Sequence, residues 1–194
     1  KAFVEFFITK DFKASEEFLV QAITVNANNS IVIYTYSYLL NMMGRFDEAM
    51  KMVEKAKDLD PLTVAYYNYL TLSQYLRGDY KEAVITIKEA LKLYPSVVRL
   101  YDYLGRVYLT AGEFEQAIQA GLVAMPNSNA AEKSELNKII GESHFNLKQY
   151  DKALPYLKEY RGKKGKWSNT DYYQLGYTYY MQKDYENAIL QFNK

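Results

Sequence analysis

Residues 77–91 read RGDYKEAVITIKEAL, and this stretch decides the fold of the chain. From Tyr80 onward, apolar side chains recur at intervals of three and four residues, which is the spacing of one face of an amphipathic helix. They are Tyr80, Ala83, Val84, Ile87, Ala90 and Leu91. Gly78 lies at the turn before this helix, where a left-handed backbone costs glycine least. Pro95 ends the helix, because the residue before a proline avoids the helical conformation. The stretch therefore predicts the second helix of a helix–turn–helix unit.

The same pattern returns along the chain, which indicates an internal repeat. In each copy an aromatic residue is followed three residues later by a small one. The pairs are Phe12/Ser15, Phe46/Ala49, Tyr80/Ala83, Phe114/Ala117, Tyr150/Ala153 and Tyr185/Ala188. Successive small residues are 34, 34, 34, 36 and 35 positions apart. A small side chain is needed where two helices cross closely, so the period predicts stacked helix pairs.

These residues resemble the tetratricopeptide repeat, a 34-residue helix–turn–helix unit. The resemblance also rests on pairs of an aliphatic residue and glycine in the first helices, which are Leu104-Gly105, Ile140-Gly141 and Leu175-Gly176. It implies an all-α fold, an α-solenoid of stacked antiparallel helix pairs that forms a right-handed superhelix. About five to six repeats are expected, with partial repeats at both ends. The resemblance favours a bacterial protein of this family.

The repeat predicts one solenoid over residues 1–194. Aligned by the small residues, its units are a partial repeat over 1–29, repeats over 30–63, 64–97, 98–133 and 134–168, and an incomplete repeat over 169–194. The last two units have Lys148 and Lys183 where earlier units have glycine. We therefore expect residues 126–133 to join two sub-blocks. Gly121, which replaces a large core residue, and Pro126, which shortens its helix, are expected to loosen this joint.

The composition excludes several classes of catalytic and metal site. The chain has 194 residues, of which 49% are hydrophobic, with no cysteine and one histidine. Disulfides, thiolate zinc sites, iron–sulfur clusters, cysteine nucleophiles and multi-histidine metal sites are thereby ruled out. His144 lies where the family has a core aromatic, so a packed histidine is expected. We predict that the chain is not an enzyme and needs no cofactor or metal.

The charge balance predicts no general attraction to nucleic acid, since 24 Lys and Arg face 23 Asp and Glu. The loop 162–166 reads GKKGK, but it lacks the spacing and the Ser or Thr of a phosphate-binding loop. It is interpreted as a solvated loop, with a local anion patch as the alternative. This patch consists of Lys158, Arg161, Lys163, Lys164 and Lys166.

The ends of the chain predict exposed apolar surface. No apolar run reaches the roughly 18 residues that a membrane-spanning helix needs, and no membrane span is expected. We interpret the chain as a piece of a longer protein and expect any localisation signal to lie outside this piece. The bacterial cytoplasm and the periplasm are therefore both open. Apolar residues near the ends are expected to be partly exposed or covered by another copy, which predicts self-association. They are Phe3, Phe6, Phe7, Tyr185, Ile189 and Phe192.

The leading functional hypothesis is a protein–protein interaction scaffold, because repeat solenoids hold partners on an extended concave surface. The expected partner is a protein or peptide whose identity the sequence does not reveal. The alternative is a regulatory or sensory segment of a larger multidomain bacterial protein, packed on a neighbouring catalytic or DNA-binding domain.

The resemblance also implies which residues line the groove, namely positions 2, 5, 9 and 12 of each first helix. Those carried over are Tyr34, Tyr38, Asn68, Leu72, Tyr75, Arg99, Asp102, Arg106, Lys138, Glu142, Phe145, Tyr173, Tyr177 and Tyr180. They predict a tyrosine-lined groove with a mixed-charge band, for a peptide or a partner helix. Arg99 and Arg106 would favour an acidic side chain, and many tyrosines would equally suit packing between helices. The family's chaperone-binding carboxylate clamp is not expected, since neither alignment of the repeats supplies its cationic pair.

Overall fold

The computed structural model describes residues 11–61, 63–160, 162 and 167–194, which form α-helices and contain no strand. The helices of the first half are α1 Phe12–Val25, α2 Ser30–Met42, α3 Phe46–Leu59, α4 Val64–Arg77 and α5 Tyr80–Leu93. Those of the second half are α6 Val98–Ala111, α7 Phe114–Ala124, α8 Ala130–Asn146, α9 Tyr150–Glu159, α10 Asn169–Met181 and α11 Tyr185–Phe192. The all-helical class predicted from the repeat is confirmed.

Several of the described helices begin or end at a residue that favours such a boundary. The side chains of Asp11, Asn29 and Thr63 each accept a hydrogen bond from the first turn of the following helix. Such capping satisfies backbone N–H groups that have no partner inside the helix. At the other end, Gly78 and Gly112 adopt the left-handed conformation that closes α4 and α6.

The chain divides into two compact units, Lys1–Pro95 and Ser96–Lys194, called unit 1 and unit 2. Within unit 1, each of the helices α1–α5 packs against its neighbour in sequence, and α2 also contacts α4. A core cluster of unit 1 consists of Ile33, Tyr34, Val53, Ala56 and Tyr66.

Unit 2 follows the same plan with α6–α11, and its first helices are α6, α8 and α10. Neighbouring helices pack together, and α8 also contacts both α6 and α10. The small residues of the repeat explain the close crossings in both units, because Ser15, Ala49, Ala83, Ala117 and Ala153 are fully buried and Ala188 is 2% exposed. The helix pairs inferred from their spacing are therefore present.

The segment before α8 differs in part from its prediction. Pro126 lies in a 3₁₀ turn, Met125–Asn127, and α7 ends early at Ala124, as expected. The loosening expected from Gly121 is wrong, because a Cβ at this position would lie 2.7 Å from Cγ1 of Ile140. The glycine thus lets α7 and α8 approach closely. The joint at residues 126–133 and the single solenoid stay predictions.

No helix within the described ranges is long and apolar enough to span a membrane. The described end residues that we expected to be exposed are so, with Tyr185, Ile189 and Phe192 at 55%, 60% and 48%. Phe3, Phe6 and Phe7 lie outside the described residues, as do Arg161, Lys163, Lys164 and Lys166 of the loop.

Candidate partner-binding face

The first helices of unit 2 carry two neighbouring groups of ion pairs, and four of their six residues are at predicted groove positions. The guanidinium of Arg106 donates from Nε to both carboxylate oxygens of Asp102, at 3.1 and 3.0 Å, and from Nη2 to Glu135, at 2.7 Å. Asp102 lies one turn earlier on α6, whereas Glu135 lies on α8. Arg106 therefore connects two first helices, and much of its hydrogen-bonding capacity is used inside the unit.

Lys138 is the centre of the second group, which connects α8 to α10. Its Nζ lies 2.8 Å from Asp171 and 3.7 Å from Oε1 of Glu142. The same Nζ lies 4.9 Å from the ring centroid of Tyr160, which adds a cation–π contact. Asp171 also accepts from the backbone N–H and the hydroxyl of Ser168, so it forms the capping box that begins α10. We call Asp102, Arg106, Glu135, Lys138, Glu142 and Asp171 the charged network.

The pKa values of two carboxylates in the charged network are shifted in opposite directions. Burial by itself would raise the pKa of Asp171, but Lys138 and Ser168 outweigh it, so this pKa lies below its ordinary value. Burial raises the pKa of Glu142, and the more distant Lys138 only partly offsets the effect. Asp171 is therefore firmly held as an anion, whereas the charge on Glu142 is poorly compensated.

Beside the charged network lies a group of rings that we call the aromatic cluster, formed by Phe145, Tyr150, Tyr173, Tyr177 and Tyr180. Phe145 lies 5.8 Å from Tyr177 between ring centroids, and Tyr177 lies 5.8 Å from Tyr150. Tyr173 and Tyr180 lie 5.9 and 6.2 Å from Tyr177. Tyr173 and Tyr180 remain 54% and 51% exposed. The cluster thus presents aromatic surface to solvent while its centre is packed.

A cleft of about 220 Å³ lies between α6 and α8 and is lined by Val98, Arg99, Asp102, Ala131, Glu132, Glu135 and Leu136. Its ionisable lining consists of one arginine, which is exposed, and three carboxylates. Arg99 and Arg106 were expected to favour an acidic side chain, but two carboxylates already neutralise Arg106. The surroundings of the arginines do not favour an acidic ligand.

The predicted groove residues of unit 1 have a different environment. Tyr34 is only 4% exposed and stacks on Tyr69 at 5.0 Å, so it packs in the core instead of lining an open surface. Its hydroxyl is buried and makes no hydrogen bond with any described residue, and the same holds for Oδ1 of Asn68. Tyr38, Leu72 and Tyr75 are half-buried.

His144 is buried, at 8% exposure, as expected for a packed histidine. Its Nδ1 lies 2.8 Å from Oε1 of Gln149, and its ring stacks on Tyr156 at 6.0 Å. Within the described part of the chain, no group of three His, Cys, Asp or Glu side chains could hold a metal ion. The histidine thus has a structural environment.

Sequence reasoning missed three residues that complete this surface: Glu135, Tyr150 and Asp171. Glu135 occupies position 2 of the repeat over 134–168, but the predicted set of groove residues does not include it. Asp171 forms a capping pair with Ser168 at a spacing of three residues, a signal that the sequence carries. Tyr150 belongs to a second helix, so its place in the aromatic cluster depends on how the helices pack.

Comparison with known proteins identifies solved structures of similar fold. Among curated protein sequences, none matches this chain significantly. Among solved structures, the fold is similar to pilF of Pseudomonas aeruginosa, with a TM-score of 0.78, 16% identity and coverage of 96% of this chain and 83% of that one. It is also similar to YrrB, described as a TPR protein with an unusual peptide-binding site, with a TM-score of 0.62, 21% identity and coverage of 89% and 88%.

Yeast Tom70 has a TM-score of 0.74 at 18% identity, and the match covers 93% of this chain but 38% of Tom70. Family models described as tetratricopeptide repeat match residues 43–98, 86–132 and 171–190, which together make up more than half of the chain. This family generally provides non-catalytic scaffolds for protein interaction. The chain belongs to the tetratricopeptide repeat family.

Proposed function

We propose that the chain is a scaffold that binds an extended peptide or a partner helix on the first-helix face of unit 2, formed by α6, α8 and α10. The observation that carries this proposal is the aromatic cluster, where Tyr173 and Tyr180 expose about half of their surface beside packed rings. Tyrosine offers a large contact area, loses little rotamer entropy and provides a hydroxyl for backbone groups.

The surroundings of the aromatic cluster support this role because they limit its movement. Tyr177 contacts Phe145 and Tyr150 with rings inclined at 71° and 63°, so it is fixed from two helices. The hydrogen bond between Lys138 and Asp171 also connects α8 to α10, the helix that carries Tyr177. A surface that is ordered before binding loses less entropy when a partner docks.

YrrB is described as having an unusual peptide-binding site, and by analogy a peptide is a suitable partner for this chain. The set of residues that we propose for this face is Arg99, Asp102, Glu135, Lys138, Glu142, Phe145, Tyr173, Tyr177 and Tyr180. Tyr34 is left out of the proposal because it is buried in unit 1.

Selection from a displayed library of random peptides, followed by binding assays with Tyr173→Ala and Tyr180→Ala, tests the proposal. Both side chains are about half exposed but contact Tyr177, so each variant should lower the unfolding free energy by about 1 kcal/mol and leave the protein folded. Each variant should nevertheless weaken binding of the selected peptide at least tenfold. Ile85→Ala on α5 is the matched control, because Ile85 is 59% exposed and lies in unit 1.

Equal binding by the wild type, the two tyrosine variants and the control would refute this face as the binding site. A library that yields no binder at all would refute the peptide function.

A further inference from the structure

Charge is distributed unevenly within unit 2. Residues 96–194 contain 13 Lys and Arg and 11 Asp and Glu, so the sequence of this unit is net positive. The charged network nevertheless holds four carboxylates and two cations, and it is therefore net negative by two. Arg99 is exposed nearby on α6, and the charged network together with Arg99 still has a net charge of −1. The face attracts cations although the unit that carries it does not.

Glu142 is the carboxylate in this network with the weakest pairing. Asp102, Glu135 and Asp171 each have a cation within 3.0 Å, whereas the Nζ nearest to Glu142 is 3.7 Å away. That cation, on Lys138, is also closer to Asp171 than to Glu142. The side chain of Glu142 is 15% exposed, so a ligand can still reach it from solvent.

The aromatic cluster continues from Glu142 along the same side of α8. Phe145 lies three residues after Glu142, and residues at this spacing are neighbours on a helix surface. The ring of Phe145 contacts Tyr177, and Tyr177 contacts the exposed Tyr173. A ligand group that suits both neighbours is cationic, and a planar cation suits them best, since it would pair with a carboxylate on one side and stack on aromatic faces on the other.

We propose that the peptide bound on this face contributes an arginine side chain, which donates to Glu142 and stacks on Tyr173 or Tyr177. The guanidinium is planar, carries five N–H donors and stacks on aromatic rings, whereas an ammonium provides a point charge. This inference rests on the proposed function and specifies the chemistry of the partner.

The test uses the peptide of highest affinity from the random library and a second peptide in which citrulline replaces its arginine. Citrulline keeps the size and planarity of the side chain but is neutral. Affinities are measured by fluorescence anisotropy against the wild type, Glu142→Gln and the matched control Glu115→Gln, an exposed carboxylate on α7. The unfolding free energy of each variant is measured in parallel.

The selection should enrich arginine over aspartate and glutamate. Citrulline should weaken binding to the wild type at least about tenfold, the loss expected for a hydrogen bond between charged groups. Glu142→Gln should weaken the arginine peptide to the same extent and the citrulline peptide less than twofold, whereas Glu115→Gln should change neither. Glu142→Gln should not lower stability, because burial disfavours the ionised carboxylate.

Enrichment of acidic peptides, or equal affinity for the arginine and citrulline peptides, would overturn the arginine proposal. An equal loss of both peptides in Glu142→Gln would also overturn it, since Glu142 would then act through packing. These results leave the proposed function standing as long as Tyr173→Ala weakens binding at least tenfold. If Tyr173→Ala and Tyr180→Ala leave binding unchanged, the proposed function itself fails.

Discussion

Gly141 is expected to be the least replaceable residue at the contact between α8 and α9. A Cβ at this position would lie 2.8 Å from Cδ2 of Leu157, 3.0 Å from its Cγ and 3.1 Å from its backbone N. Favourable contacts between carbon atoms lie at about 3.5–4.0 Å. Because one of these neighbours is backbone, rotation of the Leu157 side chain cannot relieve the overlap. Gly141→Ala must therefore push the two helices apart.

The magnitude follows from two opposing effects. Overpacking a buried site costs about 1–3 kcal/mol, and a clash with backbone corresponds to the upper end of that range. Alanine in a helix interior is about 1 kcal/mol more favourable than glycine. The unfolding free energy should therefore fall by about 2 kcal/mol, which corresponds to a decrease in melting temperature of about 4–8 °C for a chain of this length.

Urea denaturation followed by circular dichroism measures this change. The matched test is a double-mutant cycle with Leu157→Ala, which removes the side-chain atoms that the new methyl group would meet. In that background the contacts with Cδ2 and Cγ are gone and only the one with the backbone N remains. Gly141→Ala should then keep part of its cost, and the two substitutions should be coupled by about 1 kcal/mol. A stabilising Gly141→Ala, or additive effects in the cycle, would refute the argument from close helix approach.

Further predictions concern stability and assembly. Tyr34→Phe should leave the unfolding free energy unchanged or raise it, because the buried hydroxyl of Tyr34 has no hydrogen-bond partner among the described residues. Tyr66→Phe should lower the unfolding free energy by about 1 kcal/mol, since the hydroxyl of Tyr66 donates to Glu54. Equal denaturation midpoints for the two variants would contradict this. Burial raises the pKa of Tyr34 to about 12. The contribution of the neutral Tyr34 hydroxyl to the unfolding free energy is therefore complete below pH 10 and is lost as the pH rises toward 12. Unfolding curves of the wild type and Tyr34→Phe at alkaline pH would show this loss only in the wild type. Lys148 and Lys183 adopt φ of 58° and 63°, and replacing each by glycine should therefore raise the unfolding free energy by about 1 kcal/mol; a loss of stability would show that this conformation is not strained. Finally, Ile189 is 60% exposed, so sedimentation at high concentration should detect self-association that Ile189→Ser weakens, and a strict monomer would refute this.

The sequence alone determined the helix pairs and the family. The reason is that each helix in this architecture packs mainly against helices that are close to it in the chain. Each such contact therefore appears as a local pattern in the sequence. The aromatic and small residues at 34- to 36-residue spacing therefore predicted fully buried positions such as Ala83 and Ala117. Glycine likewise indicated the left-handed turns at Gly78 and Gly112.

The exposure of individual tyrosines was decided only by tertiary packing. Tyr34 and Tyr173 occupy predicted groove positions in different units, yet Tyr34 is 4% exposed and Tyr173 is 54% exposed. The difference arises from neighbours that are distant in sequence, such as Tyr69, which stacks on Tyr34. Repeat position alone cannot specify such a neighbour, because equivalent positions carry different side chains in each unit.

The electrostatic character of the candidate face was likewise determined by tertiary structure. In sequence, Arg106 indicated a site for an acidic side chain, whereas the structure places Asp102 and Glu135 on its donors. Glu135 is 29 residues away along the chain. The free energy of an ion pair depends on distance and burial, and both are set by how α6, α8 and α10 pack. The chain as a whole is nearly neutral in composition. Only the fold brings the four carboxylates and two cations of the charged network onto one face around Glu142.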